Sequence, residues 1–173
     1  MTEIAMGNLL AIFSMVMILV SYVITSITLF KISAKEKVCK PFFAWIPILN
    51  DFLLIKLGQG SIWFIMLALV SLFLGGPMTS YFNSSTLVMV GTIVTALWTL
   101  YKILLYNRIC ERYDGNIIIL GIGFILELIP KMSLAGLIIA IIGQILLMKK
   151  VKSNFNPKTI IESKIVISKR NKK

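Results

Sequence analysis

An all-α integral membrane bundle, with five transmembrane helices and one re-entrant or interfacial segment, is the fold this sequence predicts. Three observations predict it. Hydrophobic residues make up 58% of the 173 residues and charged ones 14%, against about 45–50% and 25% in soluble domains. The mean hydropathy is +0.92, and runs of about 20 apolar residues, the length that crosses a bilayer, recur along the chain. The 18 Lys and Arg outnumber the seven Asp and Glu and gather between these runs and at the C-terminus.

The first span is residues 7–30. Glu3 precedes it without any Lys or Arg, and it far exceeds the roughly 7–15 apolar residues of a cleaved signal, so a retained helix is expected. A Lys-rich turn follows, KISAKEKVCK. Residues 61–78 form the second span, closed by the breakers Gly75, Gly76 and Pro77. The third is 86–107, ending in the polar NRICERYDGN; the fourth is 116–130 and the fifth 132–148. Residues 149–173 are a basic cytoplasmic tail outside the transmembrane domain.

Residues 41–57, PFFAWIPILNDFLLIKL, are apolar but broken. Pro47 disrupts a helix through its missing N–H and its clash with the preceding turn. An Asp at mid-bilayer costs about 2.5–3.5 kcal/mol on insertion scales. The positive-inside rule separates the two topologies. If 41–57 enters and returns, sixteen of the eighteen basic residues lie on the cytoplasmic side, with Lys56 at the inner surface and Lys131 outside. If it crosses, six spans result and the division is thirteen to five. The expectation is a re-entrant hairpin kinked at Pro47, with Asn50 and Asp51 near its polar turn, the N-terminus outside and the C-terminus in the cytoplasm of a bacterial plasma membrane.

The order Lys37, Lys40-Pro41, Ala44-Trp45, Ile46-Pro47-Ile48, Asn50, Leu54-Ile55-Lys56 and Trp63 resembles a family of small bacterial polytopic membrane proteins of unknown function. Its members carry a Lys-rich turn and an Ile-Pro-Ile-Tyr-Asn-type motif, and some are joined to signal peptidase I. Arg112-Tyr113-Asp114-Gly115 and Leu120-Gly121-Ile122-Gly123-Phe124 look similar to a later part of the pattern. The likeness covers about residues 30–145. Leu49 stands where Tyr is usual, and Pro77 to Asn83 is a looser form of the second proline–asparagine run. The resemblance implies a role near exported proteins and supplies no activity.

Histidine is absent, which removes the imidazole that Ser-His, Cys-His and His-metal chemistry require. The two aspartates, Asp51 and Asp114, do not suit an intramembrane dyad, and Cys39 and Cys110 are lone thiols without metal spacing. No catalytic residue, metal or cofactor is predicted, and the chain is read as non-enzymatic. Polar residues inside apolar sequence are the remaining candidates. Asn50 and Asp51 could hold a cation or a polar group, or Asn50 could cap the helix after Pro47. Glu127 could mark an ion path, or pair with Lys131 four residues on as a structural partner. Asp51 and Lys56, five apart, do not align on a helix face. Gly121, Gly123, Gly136, Ala140 and Gly143 predict close helix packing, and Trp45, Trp63 and Trp98 interfacial anchoring or packing.

Two functions follow. One is an interaction protein acting through helix contacts, as an export or envelope accessory or an immunity-type protein. The other is a small oligomeric transporter or channel subunit with a polar path at Asn50, Asp51 and Glu127. The expected partners are the lipid bilayer, anionic lipid through the tail, and a membrane protein or a second copy. One aromatic, Phe155, in the basic tail argues against nucleic acid.

Overall fold

The computed structural model describes residues 2–74, 85–129 and 131–153. Six helices carry these residues: α1 (Thr2–Glu36), α2 (Pro47–Leu57), α3 (Ile65–Leu74), α4 (Ser85–Tyr113), α5 (Ile117–Glu127) and α6 (Ser133–Ser153), with 3-10 turns at Pro41–Trp45 and Ile62–Phe64. No strand occurs among the described residues. Three stretches, Ile12–Glu36, Thr86–Tyr113 and Ser133–Val151, are long and apolar enough to cross a membrane. The chain is an all-helical membrane protein.

Several boundaries differ from the sequence expectation. α1 and α4 continue past their apolar runs, to Glu36 and Tyr113, because Lys, Glu and Arg are good helix formers wherever hydropathy ends. α6 likewise runs on through Lys149 and Lys150 to Ser153, so the tail begins as helix; residues 154–173 lie outside the described part. Of residues 61–78, 62–74 are helical; residues 75–78, like the Pro77–Asn83 connection, lie outside the described part. The fourth span is the largest correction. α5 has 11 residues, a rise of about 16 Å, half of the roughly 30 Å hydrocarbon thickness. Asn116 starts it by accepting a hydrogen bond from Ile118 N at 2.9 Å, an N-cap. It stops at Glu127, shortly before Pro130, whose ring disfavours the α conformation at Ile129.

Packing divides the helices into two walls. α5 lies closely on α6, and α1 runs along α6; α3 lies along α4. Small residues set the first contact. A Cβ on Gly123 would stand 2.5 Å from Ala140 N, and one on Gly136 would strike Glu127 N and lie 2.7 Å from Gly123 O. The predicted small-residue packing is thus located in the α5–α6 hairpin, where backbones touch. α2 and the turn before it wedge between α1 on one side and α3 and α4 on the other. Its Leu53, Leu54, Ile55 and Leu57 meet Leu29 and Ile32 of α1 and Leu105 and Ile109 of α4 in the core.

One end of the bundle is tied by charge. Buried Glu36, at the end of α1, accepts from Arg112 Nη1 at 2.7 Å and from Tyr113 OH at 3.0 Å. Arg112 also donates to Leu57 O at the end of α2, and Arg108 donates to Gly58 O and Gln59 O at 3.1 and 3.0 Å. These bonds satisfy carbonyls that a helix C-terminus leaves orphaned. Lys35 donates to Val151 O, joining α6 to the same end. Lys37, Gln59 and Asp114, just beyond α1, α2 and α4, take the left-handed conformation (φ 51°, 53° and 57°), which turns the chain sharply after each helix.

Replacing Arg112 by Ala should destabilise the protein by about 3–5 kcal/mol, the cost of leaving a buried charge unpaired. Joint replacement, Glu36→Gln with Arg112→Met, should cost less than the single change. Alkylation of buried Cys110 during heating in detergent reads both; equal midpoints for wild type and Arg112→Ala would remove the pair from this role.

Candidate functional site

The course of residues 39–57 decides where the polar candidates lie. Ser33 Oγ donates to Cys39 O at 3.0 Å, so the segment starts beside the end of α1. Tyr22 OH donates to Trp45 O at 2.8 Å. Tyr22 lies eleven residues before Ser33, a rise of about 16 Å along α1. The chain therefore climbs α1 as a 3-10 turn, becomes extended at Ile46 (φ −105°, ψ 121°), and starts α2 with Pro47 at its first positions. Proline suits that place because its missing N–H is unpaired there anyway. α2 then descends to Leu57 and the Arg112 clamp. Both ends of the segment sit at the tied end of the bundle, and its bend, with Trp45, Ile46, Pro47 and Ile48 exposed, sits beside Tyr22 of α1.

Asn50 is held by that bend. Its Nδ2 donates to Ala44 O at 2.7 Å and to Ser26 Oγ of α1 at 3.2 Å, and the residue is 6% exposed. It does not cap α2, whose N-cap is Ile46; it crosslinks the bend to α1. The next residue, Asp51, turns into a cleft between the two walls. A cavity of about 250 Å³ is lined by Ser21, Tyr22, Thr25, Pro47, Asn50 and Tyr106, with Asp51, Lys102 and Glu127. An adjoining one of about 520 Å³ shares Ile18, Asp51, Lys102, Phe124 and Glu127, and continues along Ser71, Thr95 and Trp98 of the α3–α4 wall.

Two carboxylates chosen separately from the sequence thus share one space, with a lysine that sequence reading had counted only as a topology marker. Lys102 lines both cavities together with Asp51 and Glu127. It forms no ion pair within 4.0 Å with either. Its Nζ stands 6.0 Å from the Trp98 ring centroid and 5.8 Å from that of Phe124, a cation–π setting. Asp51 and Lys102 are half-buried, whereas Glu127 is exposed at the mouth of the cleft. The pairing of Glu127 with Lys131 is not what the structure places: α5 ends at Glu127, so no helix face joins the two, and exposed Lys131 lies outside both cavities.

Sequence reading missed four further residues. Glu36, Arg112 and Tyr113 are taken up in the tied end, which also commits Arg108 to capping. Gln144 of α6 is 2% exposed beside Tyr106, and among the described residues neither amide atom has a partner at hydrogen-bond geometry. The available signal was a lone amide in an apolar run. Of the tryptophans, Trp98 lines the cleft, while Trp45 and Trp63 are exposed. Among the described residues no group of three or more His, Cys, Asp or Glu is placed to hold a metal ion. The cleft holds two carboxylates, a lysine and the hydroxyls of Ser21, Tyr22 and Thr25. Comparison with protein-family models, curated proteins and solved structures returns no match for this chain.

Asn50→Ala should cost about 1–3 kcal/mol, because it strips the bond that satisfies buried Ala44 O. Asn50→Asp keeps the size but offers no donor to Ala44 O or Ser26, and should not restore stability. Thermal unfolding in detergent compares the three; an unshifted Asn50→Ala midpoint would sever the bend from α1.

Proposed function

We propose that this protein is a small transporter or channel subunit of a bacterial plasma membrane, admitting a small polar solute or ion to a cleft within the bilayer. One observation carries the reading: Asp51, Lys102 and Glu127, from three different helices, line one space between two helical walls. Ionisable side chains at membrane depth are costly and concentrate on solute and ion paths. The polar end of α2 follows a chain break at Ile46–Pro47, and interrupted helices near the midplane are how transporter sites are built. The reading is non-enzymatic.

In this reading residues 41–57 are re-entrant: they enter and leave from the cytoplasmic side, with the N-terminus outside. Support comes from Cys39 beside Ser33, Leu57 beside Arg112, and the lysines and arginines gathered at that end. Apolar stretches 61–78 and 116–130 complete five passages, the second across a bilayer thinned beside its short helix. So few helices enclose no pore alone, so the working form is a homo-oligomer.

A second reading, contact with another membrane protein, is favoured by the first half of α1, where Ile12, Met15 and Leu19 are 62%, 71% and 65% exposed. Met15→Lys should release a bound partner on gentle extraction if that reading holds. The resemblance to a family with export-linked members fits this reading.

Two measurements test the proposal. In a cysteine-free background, Val38→Cys and Gln59→Cys, both exposed, should resist a membrane-impermeant maleimide in intact cells and react once the cells are opened. Labelling of one but not the other from outside would make the segment a crossing. In proteoliposomes, entry of rubidium, chloride, methylammonium or glycerol should exceed that of empty vesicles. It should fall at least about tenfold when Asp51 and Glu127 are both Ala, equivalent to about 1.4 kcal/mol. Entry of none of the four, or unchanged entry in the double variant, would reject the path.

A further inference from the structure

The chemistry of the cleft narrows what it would take, granted the reading of it as a solute site. Its charged side chains are Asp51, Glu127 and Lys102, so one negative charge is left unbalanced. Lys102 does not close on either carboxylate, its ammonium being held over Trp98 and Phe124, and the carboxylate oxygens are therefore open to another cation.

A second, independent feature points the same way. Asn50 spends both amide protons on Ala44 O and Ser26 Oγ, which fixes the plane of the amide. Its Oδ1 accepts no hydrogen bond from a described residue and is not sealed off from the cavity that Asn50 lines, so it is open to a donor or a cation in that space. The hydroxyls of Ser21 and Thr25 stand on the α1 side. Hard cations take oxygen ligands, and a site with one surplus negative charge balances one positive charge. A divalent ion would leave it positive, in a setting where uncompensated charge is expensive. A space of about 250 Å³ holds an alkali ion with part of its water or a small primary ammonium.

We infer that the cleft binds one monovalent cation, an alkali ion or a small primary ammonium, between Asp51 and Glu127 with Asn50 Oδ1 as neutral ligand. Lys102 is the built-in counter-charge that holds the site to a single positive guest. No bond forms or breaks in this binding, and Lys102 acts as a positioning residue for charge.

The test uses the full chain in nanodiscs of phosphatidylcholine, a lipid without net charge, so that the basic tail gathers no ions. Binding of radiolabelled rubidium is followed, with unlabelled sodium, potassium, methylammonium and magnesium as competitors, all as chlorides. Wild type should bind one rubidium per chain, displaced by alkali ions or methylammonium and not by magnesium at equal concentration. Asp51→Asn and Glu127→Gln should each weaken binding at least about tenfold. Lys102→Gln leaves two negative charges, and magnesium should now compete at least about tenfold better than in wild type; a gain of this kind cannot arise from misfolding. Radiolabelled methylammonium is followed in parallel: saturable binding of it without rubidium assigns the ammonium, and rubidium binding displaced by alkali ions and not by methylammonium assigns the metal ion.

Absence of saturable rubidium or methylammonium binding in wild type, or unchanged magnesium competition in Lys102→Gln, overturns the inference. The path itself is judged separately. Carboxylate-dependent entry of chloride or glycerol without cation binding keeps the path and discards the cation; cation binding without any flux does the reverse.

Discussion

Everything that is specific about this bundle hangs from a buried ion pair at one end. Taking Glu36 and Arg112 out of water costs several kcal/mol per ion before any return, and the return comes from how completely the charges are used. Glu36 takes Arg112 and Tyr113; the guanidinium also takes Leu57 O, and Arg108, one turn earlier, takes the next two carbonyls. The termini of α1, α2 and α4 are thereby fixed to one another. A helix of 11 residues tied at its C-terminus has its N-terminus directed as well, so the Arg112 bond about 10 Å away helps, together with the Asn50 bonds to Ala44 and Ser26, to set Asn50 and Asp51 in the cleft.

Both walls are closed by glycine. α5 and α6 meet through Gly123, Gly136 and Ala140 with backbone against backbone, a close-packed contact. α3 and α4 meet where a Cβ on Gly91 would strike Leu74 O and through the Ser71–Thr95 hydroxyl pair at 3.4 Å, with Phe64 of the preceding turn stacked on Tyr101 at 4.0 Å. α1 runs along α6, not along α3 or α4. The cleft is the seam between these bodies, and α2 is the wedge that closes its tied end.

What the sequence made legible, and what it hid, follows the physics each signal reports. Hydropathy found α1, α4 and α6, because apolar length is what a membrane demands. It misplaced their ends, since helix propensity does not stop where apolarity stops: Lys31–Glu36 and Asn107–Tyr113 are polar and helical together. It also lengthened α5, because the apolar letters of residues 116–130 run past the point where Pro130 forces a stop. Asn50, Asp51 and Glu127 stood out as polar residues in apolar surroundings; that they meet is tertiary information, invisible in their spacing of about 76 residues. Lys102 carried the same signal in the run WTLYKILLY, but counting it as an orientation marker concealed it. Glu36 and Arg112 looked like ordinary solvated charges, because burial depends on what α2 does between them.

The shortness of α5 has a consequence for the lipid and not only for the protein. A membrane cannot leave a gap above a helix that ends halfway: the acyl chains must compress, or water and headgroups must descend to meet the turn, at a cost of fractions of a kcal/mol per Å. Glu127, exposed where α5 stops, is the charged group at that early end. If the cleft takes up a solute as proposed, the barrier beside α5 would be thinner than the bilayer around it.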